Sequence, residues 1–299
     1  MFSVIIPLYN KELSIYNTIQ SILIQSYKDF EIVIVNDGST DKSVEVVEKI
    51  KDDRIRLIHQ ENQGVSAARN TGIKHAKHEW ICFLDADDLW EKEHLDEYCQ
   101  VLIKHSQIHW MFSGFTSKNK NKRWKYIYYK NGFLNNVFDG LLNGLKIHTS
   151  TVCVKKKLFD IYPDLYFREG LNNSEDREVW YKLCCIDRSP YNISKSLSIY
   201  DVNVSGSLTK NKTETVKAHF LNMNKRLSEF HSYVSLDDSD KKKFENFIFN
   251  FNRTLIKSAY IGGFIKDDYK DYLNKFEYNF FSYTINFNKT IKKIIIKLC

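Results

Sequence analysis

Trp80-Ile81-Cys82-Phe83-Leu84-Asp85-Ala86-Asp87-Asp88 sets an apolar run directly against three acids. The run Trp80 to Leu84 reads as a strand buried on both faces. Side chains alternate along a strand, so Asp85 and Asp87 are expected to face one side. Asp88 adds a third carboxylate, and adjacent acids repel one another unless a cation sits among them. Mg²⁺ or Mn²⁺ suits such a cluster, because hard cations take oxygen ligands and share them with substrate phosphates. A helix is predicted from Glu91 to Lys104. Capping that helix is the plain structural alternative for Asp87 or Asp88.

Upstream, strand and helix signals alternate. Val4 to Ile6 begins a buried strand stopping at Pro7, and Leu13, Tyr16, Ile19, Ile22 and Leu23 follow at helical spacing. Glu31 to Val35 is a second β-branched run, closed by the turn Asn36-Asp37-Gly38-Ser39. Asp41 is placed to cap a helix carrying Val44, Val47 and Ile50. Ile55 to Ile58 reads as a third strand, and Gly64 to Ala76 as a helix. This alternation predicts an α/β fold with a mostly parallel central sheet flanked by helices. Ligands in such sheets bind beyond the carboxyl ends of the strands. The informative residues are therefore Tyr9, Asn10, Asp37, Asn62 and Asp85 to Asp88. Asp37 suits either its own turn or a hydrogen bond from a base ring. Tyr9 suits stacking on that base or ordinary packing. Arg69 suits a diphosphate or a surface ion pair. The sequence has neither G-x-x-x-x-G-K-[ST] nor G-x-G-x-x-G, so any phosphate must be held by acids and a metal.

The chain has 299 residues, 43% of them hydrophobic, enough for a sizeable core. Its six cysteines form no Cys-x-x-Cys pair, which favours reduced thiols in a cytoplasmic protein. No leader pattern and no long apolar span is visible. The net charge of +7 points to an anionic partner. No nucleic-acid module is recognisable, so nucleic acid is not expected. Lys118 to Lys130 interleaves lysines and Arg123 with Trp124, Tyr126, Tyr128 and Tyr129, and contains no acid. It reads as a solvated hairpin or as an acceptor-binding or membrane-facing loop. From Lys212 the pattern is mainly helical, with candidates at Glu214 to Tyr233 and Ser239 to Tyr260. At the end, Phe287, Ile291, Ile294, Ile295 and Leu298 fall on one helical face, with Lys289, Lys292, Lys293 and Lys297 largely opposite. Residues 284–299 are therefore expected to lie in the interface of an anionic membrane, at the inner face of the plasma membrane. Docking on the protein's own core or on a second subunit is the alternative.

Four segments occur in an order that resembles family 2 glycosyltransferases: Val4-Ile5-Ile6-Pro7-Leu8-Tyr9-Asn10, Val35-Asn36-Asp37-Gly38-Ser39-Thr40-Asp41, Glu61-Asn62-Gln63-Gly64-Val65-Ser66-Ala67-Ala68-Arg69-Asn70 and Phe83-Leu84-Asp85-Ala86-Asp87-Asp88. The resemblance is firm over the first 110 residues and weaker to about residue 208. It implies a GT-A fold, with a GT-A domain over 1–208 (donor half 1–110, acceptor half 111–208) and a helical region over 209–299. It implies a uracil and ribose site at Pro7, Tyr9 and Asp37, with Asn62 among the donor-binding residues. It further implies a diphosphate contact at Arg69, and an Asp-x-Asp motif at Asp85 and Asp87 holding Mn²⁺ or Mg²⁺. A later Glu-Asp pair supplies the catalytic base in such enzymes, which points to Asp176, with Glu175 the runner-up. Capping the helix through Trp180 is the structural alternative for Asp176. Asn203 stands where family members often carry a His, which puts a third metal or diphosphate ligand in doubt.

The implied activity is transfer of a sugar from a nucleotide-sugar donor, UDP-linked, to a glycan or lipid-linked glycan acceptor in surface-polysaccharide synthesis, with inversion. A nucleotidyltransferase would need a Gly- and Arg-rich loop where Tyr9-Asn10-Lys11-Glu12 stands. A non-catalytic sugar-nucleotide-binding protein is the rival from another class. The last 90 residues are expected to shape the acceptor site or make homodimer contacts.

Overall fold

The computed structural model describes residues 2–119, 122–170, 175–201 and 236–262. The chain divides into two compact units, 1–207 and 208–299. The first contains strands β1 (Phe2–Leu8), β2 (Phe30–Asp37), β3 (Ile55–Gln60), β4 (Trp80–Phe83), β5 (Leu89–Trp90), β6 (Trp110–Lys118), β7 (Arg123–Tyr126), β8 (Gly132–Phe133), β9 (Val152–Lys155) and β10 (Tyr191–Asp201). Its helices are α1 (Ile15–Leu23), α2 (Ser43–Glu48), α3 (Val65–His75), α4 (His94–Lys104), α5 (Val137–Leu142), α6 (Lys157–Ile161) and α7 (Glu175–Ile186), with 3₁₀ turns at Thr149–Thr151 and Pro163–Leu165.

The sheet runs β3-β2-β1-β4-β9-β6-β10-β5. It is parallel from β3 to β4, as the alternating pattern requires. Beyond β4 it is mixed. β9 runs antiparallel between β4 and β6, and β10 returns parallel to β6. Where β9 ends, β7 folds back along the last four residues of β6 as an antiparallel hairpin. The carboxyl ends of β1, β2, β4 and β6 therefore share one edge.

The β-branched runs are buried on both faces. Val4, Ile6, Ile32 and Ile34 join Ile15, Ile19 and Ile22 of α1 and Leu95 and Tyr98 of α4 in the main core. Val33 and Val35 face the other way, against Ala68 of α3. Helix α3 sits close on β1 because Gly72 has no side chain; a Cβ there would lie 2.4 Å from Ile5 Cγ2.

Three local expectations are corrected. β1 continues through Pro7, paired with Val35. Leu13 stands outside α1 and is 80% exposed. Helix α4 begins at His94 rather than Glu91, because Leu89 and Trp90 form β5 against β10 and Glu91 N donates to Leu197 O. His94 is fully buried, stacked on Trp90 at 4.0 Å, and its Nδ1 lies 3.0 Å from Leu197 O. Burial pushes its pKa down to about 3.

In the second unit, α8 (Asp238–Gly262) is described, close to the helix expected from Ser239 to Tyr260. The candidate helix Glu214 to Tyr233, Asn203 and the tail 284–299 lie outside the described residues. No helix among the described residues is long and apolar enough to cross a membrane.

Candidate active site

The site is built from loops on the shared edge. Pro7 lies near the end of β1, and Tyr9 follows it with 47% of its surface exposed. Asn10 adopts a left-handed φ of 51°, and its Oδ1 accepts from Thr40 N at 2.8 Å, tying the loop after β1 to the loop after β2. Asp37, last in β2, is 2% exposed. Its Oδ1 accepts from Gln60 Nε2 (2.7 Å) and Gln63 N (2.9 Å), and its Oδ2 from Gly64 N (2.8 Å). Asp37 thus organises the loop from Gln60 to Gly64, which carries the exposed Asn62. Gly38 makes the close approach possible: φ is +70°, and a Cβ would lie 2.9 Å from Asn62 N.

The three acids after β4 lie in a turn, not on the strand, which ends at Phe83. Asp88 N donates to Asp85 O at 3.0 Å. Asp85 and Asp87 reach solvent, with side chains 31% and 18% exposed. Asp87 Oδ2 pairs with Lys11 Nζ at 2.7 Å. Asp88 turns inward and is 1% exposed. Ser150 Oγ donates to its Oδ2 at 2.5 Å, and its Oδ1 has no protein partner. Burial, then Asp85 and Asp87, push the Asp88 carboxyl well above the usual range. The triplet is therefore two solvent-reaching carboxylates and one buried acid. Asp88 does not cap α4, whose N-cap is Glu93.

Arg69, expected against a diphosphate, commits its terminal nitrogens to protein. Nη2 donates to Asp85 Oδ1 at 2.8 Å and Nη1 to Glu175 Oε1 at 2.7 Å, with the arginine side chain 4% exposed. Its guanidinium lies 5.1 Å from the Phe167 ring centre. Burial opposes the charge, but Asp85, Glu175 and Asp176 outweigh it and hold Arg69 protonated.

Glu175 and Asp176 open α7 and point to different partners. Burial lifts the Glu175 carboxyl above its usual value despite Arg69. Asp176 accepts from Thr149 Oγ1 at 2.8 Å and from Arg177 N at 2.7 Å. Burial pushes Asp176 up, but Arg69, Arg177 and these hydrogen bonds outweigh it and hold it below the usual carboxylate range.

The turn His148-Thr149-Ser150 is the part that motif reasoning missed. Thr149 Oγ1 donates to Asp176 and receives Trp180 Nε1 at 3.4 Å. Ser150 Oγ receives Asp85 N at 3.2 Å while donating to Asp88, and Ser150 O receives Trp90 Nε1 at 2.7 Å. Adjacent hydroxyls thus fasten the two groups of acids together. His148 stacks on Phe115 at 4.6 Å, with Nδ1 3.8 Å from Asp88 Oδ2. Burial lowers its pKa against the pull of Asp85, Asp176 and Asp87. The polar run His148 to Thr151 ahead of an apolar strand was the one available signal.

A glycosyltransferase of Rickettsia conorii is 33% identical over 99% of this chain. The chain spans 39%, 47% and 35% of the lengths of the rickettsial glycosyltransferases it matches. The crystal structure of Staphylococcus aureus TarS residues 1–349 with UDP-GlcNAc superposes with a TM-score of 0.74 at 21% identity, covering 91% of this chain and 78% of that one. A mannosyltransferase of Pyrobaculum calidifontis, solved with GDP-Man and Mn²⁺, gives 0.61 at 17% identity over 86% and 72%. These likenesses establish a GT-A fold. The glycosyl transferase family 2 profile matches residues 3–159, and the chain belongs to that family.

Proposed function

We propose that the chain transfers a hexose or N-acetylhexosamine from a UDP-linked donor to a hydroxyl of a glycan or lipid-linked glycan, with inversion, in surface-polysaccharide synthesis. The observation that carries this reading is the fastening of two sets of acids at one sheet edge. Asp85 is joined to the Glu175–Asp176 pair through Arg69 and, by way of the adjacent Ser150 and Thr149, to Asp176 itself, with Asp87 two residues further along the same turn. TarS bound to UDP-GlcNAc supports the choice of UDP.

In this reading Tyr9 stacks on the base, and Asp37 holds the loop with Asn62 around it. Asp85 and Asp87 hold Mn²⁺ or Mg²⁺. The fit rests on chemistry: each has one oxygen without a protein partner among the described residues, both reach solvent, and both are hard oxygen donors. Among the described residues no group of three His, Cys, Asp or Glu converges as ligands, so a metal held by Asp85 and Asp87 would need further oxygen ligands from outside the protein, as substrate phosphates and water can supply. The metal, when bound, neutralises charge on the departing diphosphate. Asp176, ionised throughout the neutral range, accepts the acceptor hydroxyl's proton. The new bond forms at the anomeric carbon from the opposite face. The bond to the diphosphate oxygen breaks, and its electron pair leaves with UDP. Attachment to an anionic membrane through residues 284–299 belongs to the same reading, supported by the amphipathic sequence pattern.

The test is a thermal-shift panel of UDP-, GDP- and dTDP-sugars with Mn²⁺, Mg²⁺ or EDTA. A ligand at a hundredfold excess over Kd stabilises by about 2.7 kcal/mol. UDP-sugars should raise Tm only with metal. A response to GDP- or dTDP-sugars equal to that for UDP-sugars refutes the uracil site. A full response in EDTA refutes the metal.

A further inference from the structure

The cavity behind the β6–β7 hairpin is lined by none of the residues proposed above to hold the donor. It measures about 270 Å³ and is walled by Tyr126, Tyr128, Tyr129, Lys125, Lys146 and Asn192, with no Asp or Glu in its lining. Lys146 Nζ lies 3.9 Å from the Tyr126 ring centre. Lys125 and Lys146 are both exposed, and neither has a carboxylate partner among the described residues. Tyr129 is 80% exposed, and Trp124 on the hairpin is 41% exposed. Asn192 Nδ2 donates to the backbone carbonyls of Tyr128 and Lys130, which fixes the wall. Gly114 lets the hairpin close down, since a Cβ there would lie 2.7 Å from Tyr126 O.

Position ties the cavity to the acids. β7 occupies, beyond Val152 at the start of β9, the flank of β6 that leads toward β4. Tyr126 stacks on Phe115 at 4.8 Å, Phe115 stacks on His148 at 4.6 Å, and His148 stands beside Asp88. Two ring-to-ring steps therefore separate the cavity wall from the turn that holds Asp85 and Asp176.

We propose that this cavity is the acceptor subsite, and that the acceptor is a glycan bearing phosphate or carboxylate groups. Exposed rings offer flat apolar faces to sugars, while lysines without carboxylate partners and a lining without acids select negative charge. A neutral glycan would leave the lysines unused. A nucleic acid or an anionic bilayer would meet the same charge; exposed rings lining an enclosed cavity favour a glycan, the acceptor class of the proposed transfer on which this inference rests, and the other two are outcomes of the test.

The test is calorimetric titration of the full chain at physiological salt. The probes are oligogalacturonate, a phosphorylated mannan oligomer, neutral dextran of equal length, polyuridylate and phosphatidylserine vesicles. At least one charged glycan should bind tenfold or more tightly than dextran. The double substitution Lys125→Gln, Lys146→Gln should lose at least tenfold of that affinity while keeping wild-type affinity for UDP. Preference for oligogalacturonate or for the mannan separates carboxylate from phosphate. Equal binding of dextran, unchanged affinity in the double variant, or tighter binding of polyuridylate or vesicles overturns the proposal. Failure of wild-type protein to bind UDP with metal refutes the proposed transfer instead, and the glycan titration reads independently of it.

Discussion

Arg69→Met tests the buried junction between Asp85 and the Glu175–Asp176 pair. The arginine's two arms differ in worth. The pair with Glu175 at 2.7 Å has side chains only 4% and 8% exposed. Removing one partner of such a buried pair costs about 3–5 kcal/mol, since the other charge is left uncompensated. The pair with Asp85 is 31% exposed on the carboxylate side and contributes at most about 1 kcal/mol. Methionine refills part of the volume against Phe167, so the net loss near neutral pH is expected at about 4 kcal/mol. All five tryptophans, Trp80, Trp90, Trp110, Trp124 and Trp180, lie in the first unit, so fluorescence follows its unfolding separately from the second. With a urea slope of about 2 kcal/mol per molar, the midpoint should fall by about 2 M. The pH dependence gives an independent check. Burial already holds the Glu175 carboxyl above its usual value, and loss of Arg69 raises it further. A carboxyl with a raised folded pKa keeps a proton that the unfolded chain has released, so stability falls as pH rises through that window. The penalty should therefore be smaller near pH 5 than near pH 7. A loss under about 1 kcal/mol, or a penalty that grows on acidification, would refute the reasoning.

Asp87→Ala should leave the fold intact and weaken metal-dependent UDP binding at least tenfold, about 1.4 kcal/mol; unchanged affinity in calorimetry, with and without EDTA, would remove Asp87 from the metal site. Asp176→Asn should keep donor affinity and lower turnover about a hundredfold. Because its carboxyl is held below the usual range, wild-type activity on the acid side should survive until the pH falls below ordinary carboxylate values; an acid limb near neutrality, or a dead Glu175→Gln beside an active Asp176→Asn, would move the base elsewhere. His94, pushed down to about 3 by burial, favours the native state above its unfolded pKa of about 6.5, and that contribution is lost as pH falls toward the folded value. His94→Phe should flatten the stability–pH slope in this window by up to about 1.4 kcal/mol per pH unit; an unchanged slope in urea titrations would assign the acid sensitivity to other groups.

The first 110 residues were legible because their signals are local. β-branched runs, turn residues and helical spacing each fall within a dozen residues, and together they fix a parallel sheet and the edge where its carboxyl ends meet. What failed was extending a local rule past its element. Alternation predicted one face for Asp85 and Asp87 as though β4 continued, but the strand ends at Phe83 and a turn carries the acids. The two solvent-reaching residues were still Asp85 and Asp87, because the turn places Ala86 and Asp88 inside. The connections that complete the site were not legible. Arg69 meets Glu175 across 106 residues, Thr149 meets Asp176 across 27, and Ser150 meets Asp88 across 62. Such polar contacts leave no periodicity, and each residue alone reads as surface.

The Glu-Asp pair shows how a motif can be legible while its division of roles is not. Consecutive residues on a helix point about 100° apart. At the start of α7 that angle sends Glu175 toward Arg69 and Asp176 toward Thr149. Glu175 is thereby buried in an ion pair, 7% exposed, with its acceptor capacity engaged by a guanidinium. Asp176 is less enclosed and is ionised under the combined pull of Arg69, Arg177 and a hydroxyl. A base must offer a lone pair to an incoming hydroxyl, and of the two only Asp176 meets that condition without first breaking a buried charge pair. In the proposed transfer Glu175 is then a positioning residue: through Arg69 it holds Asp85, so that the group proposed to bind the leaving diphosphate and the group proposed to accept the proton are both set by one arginine.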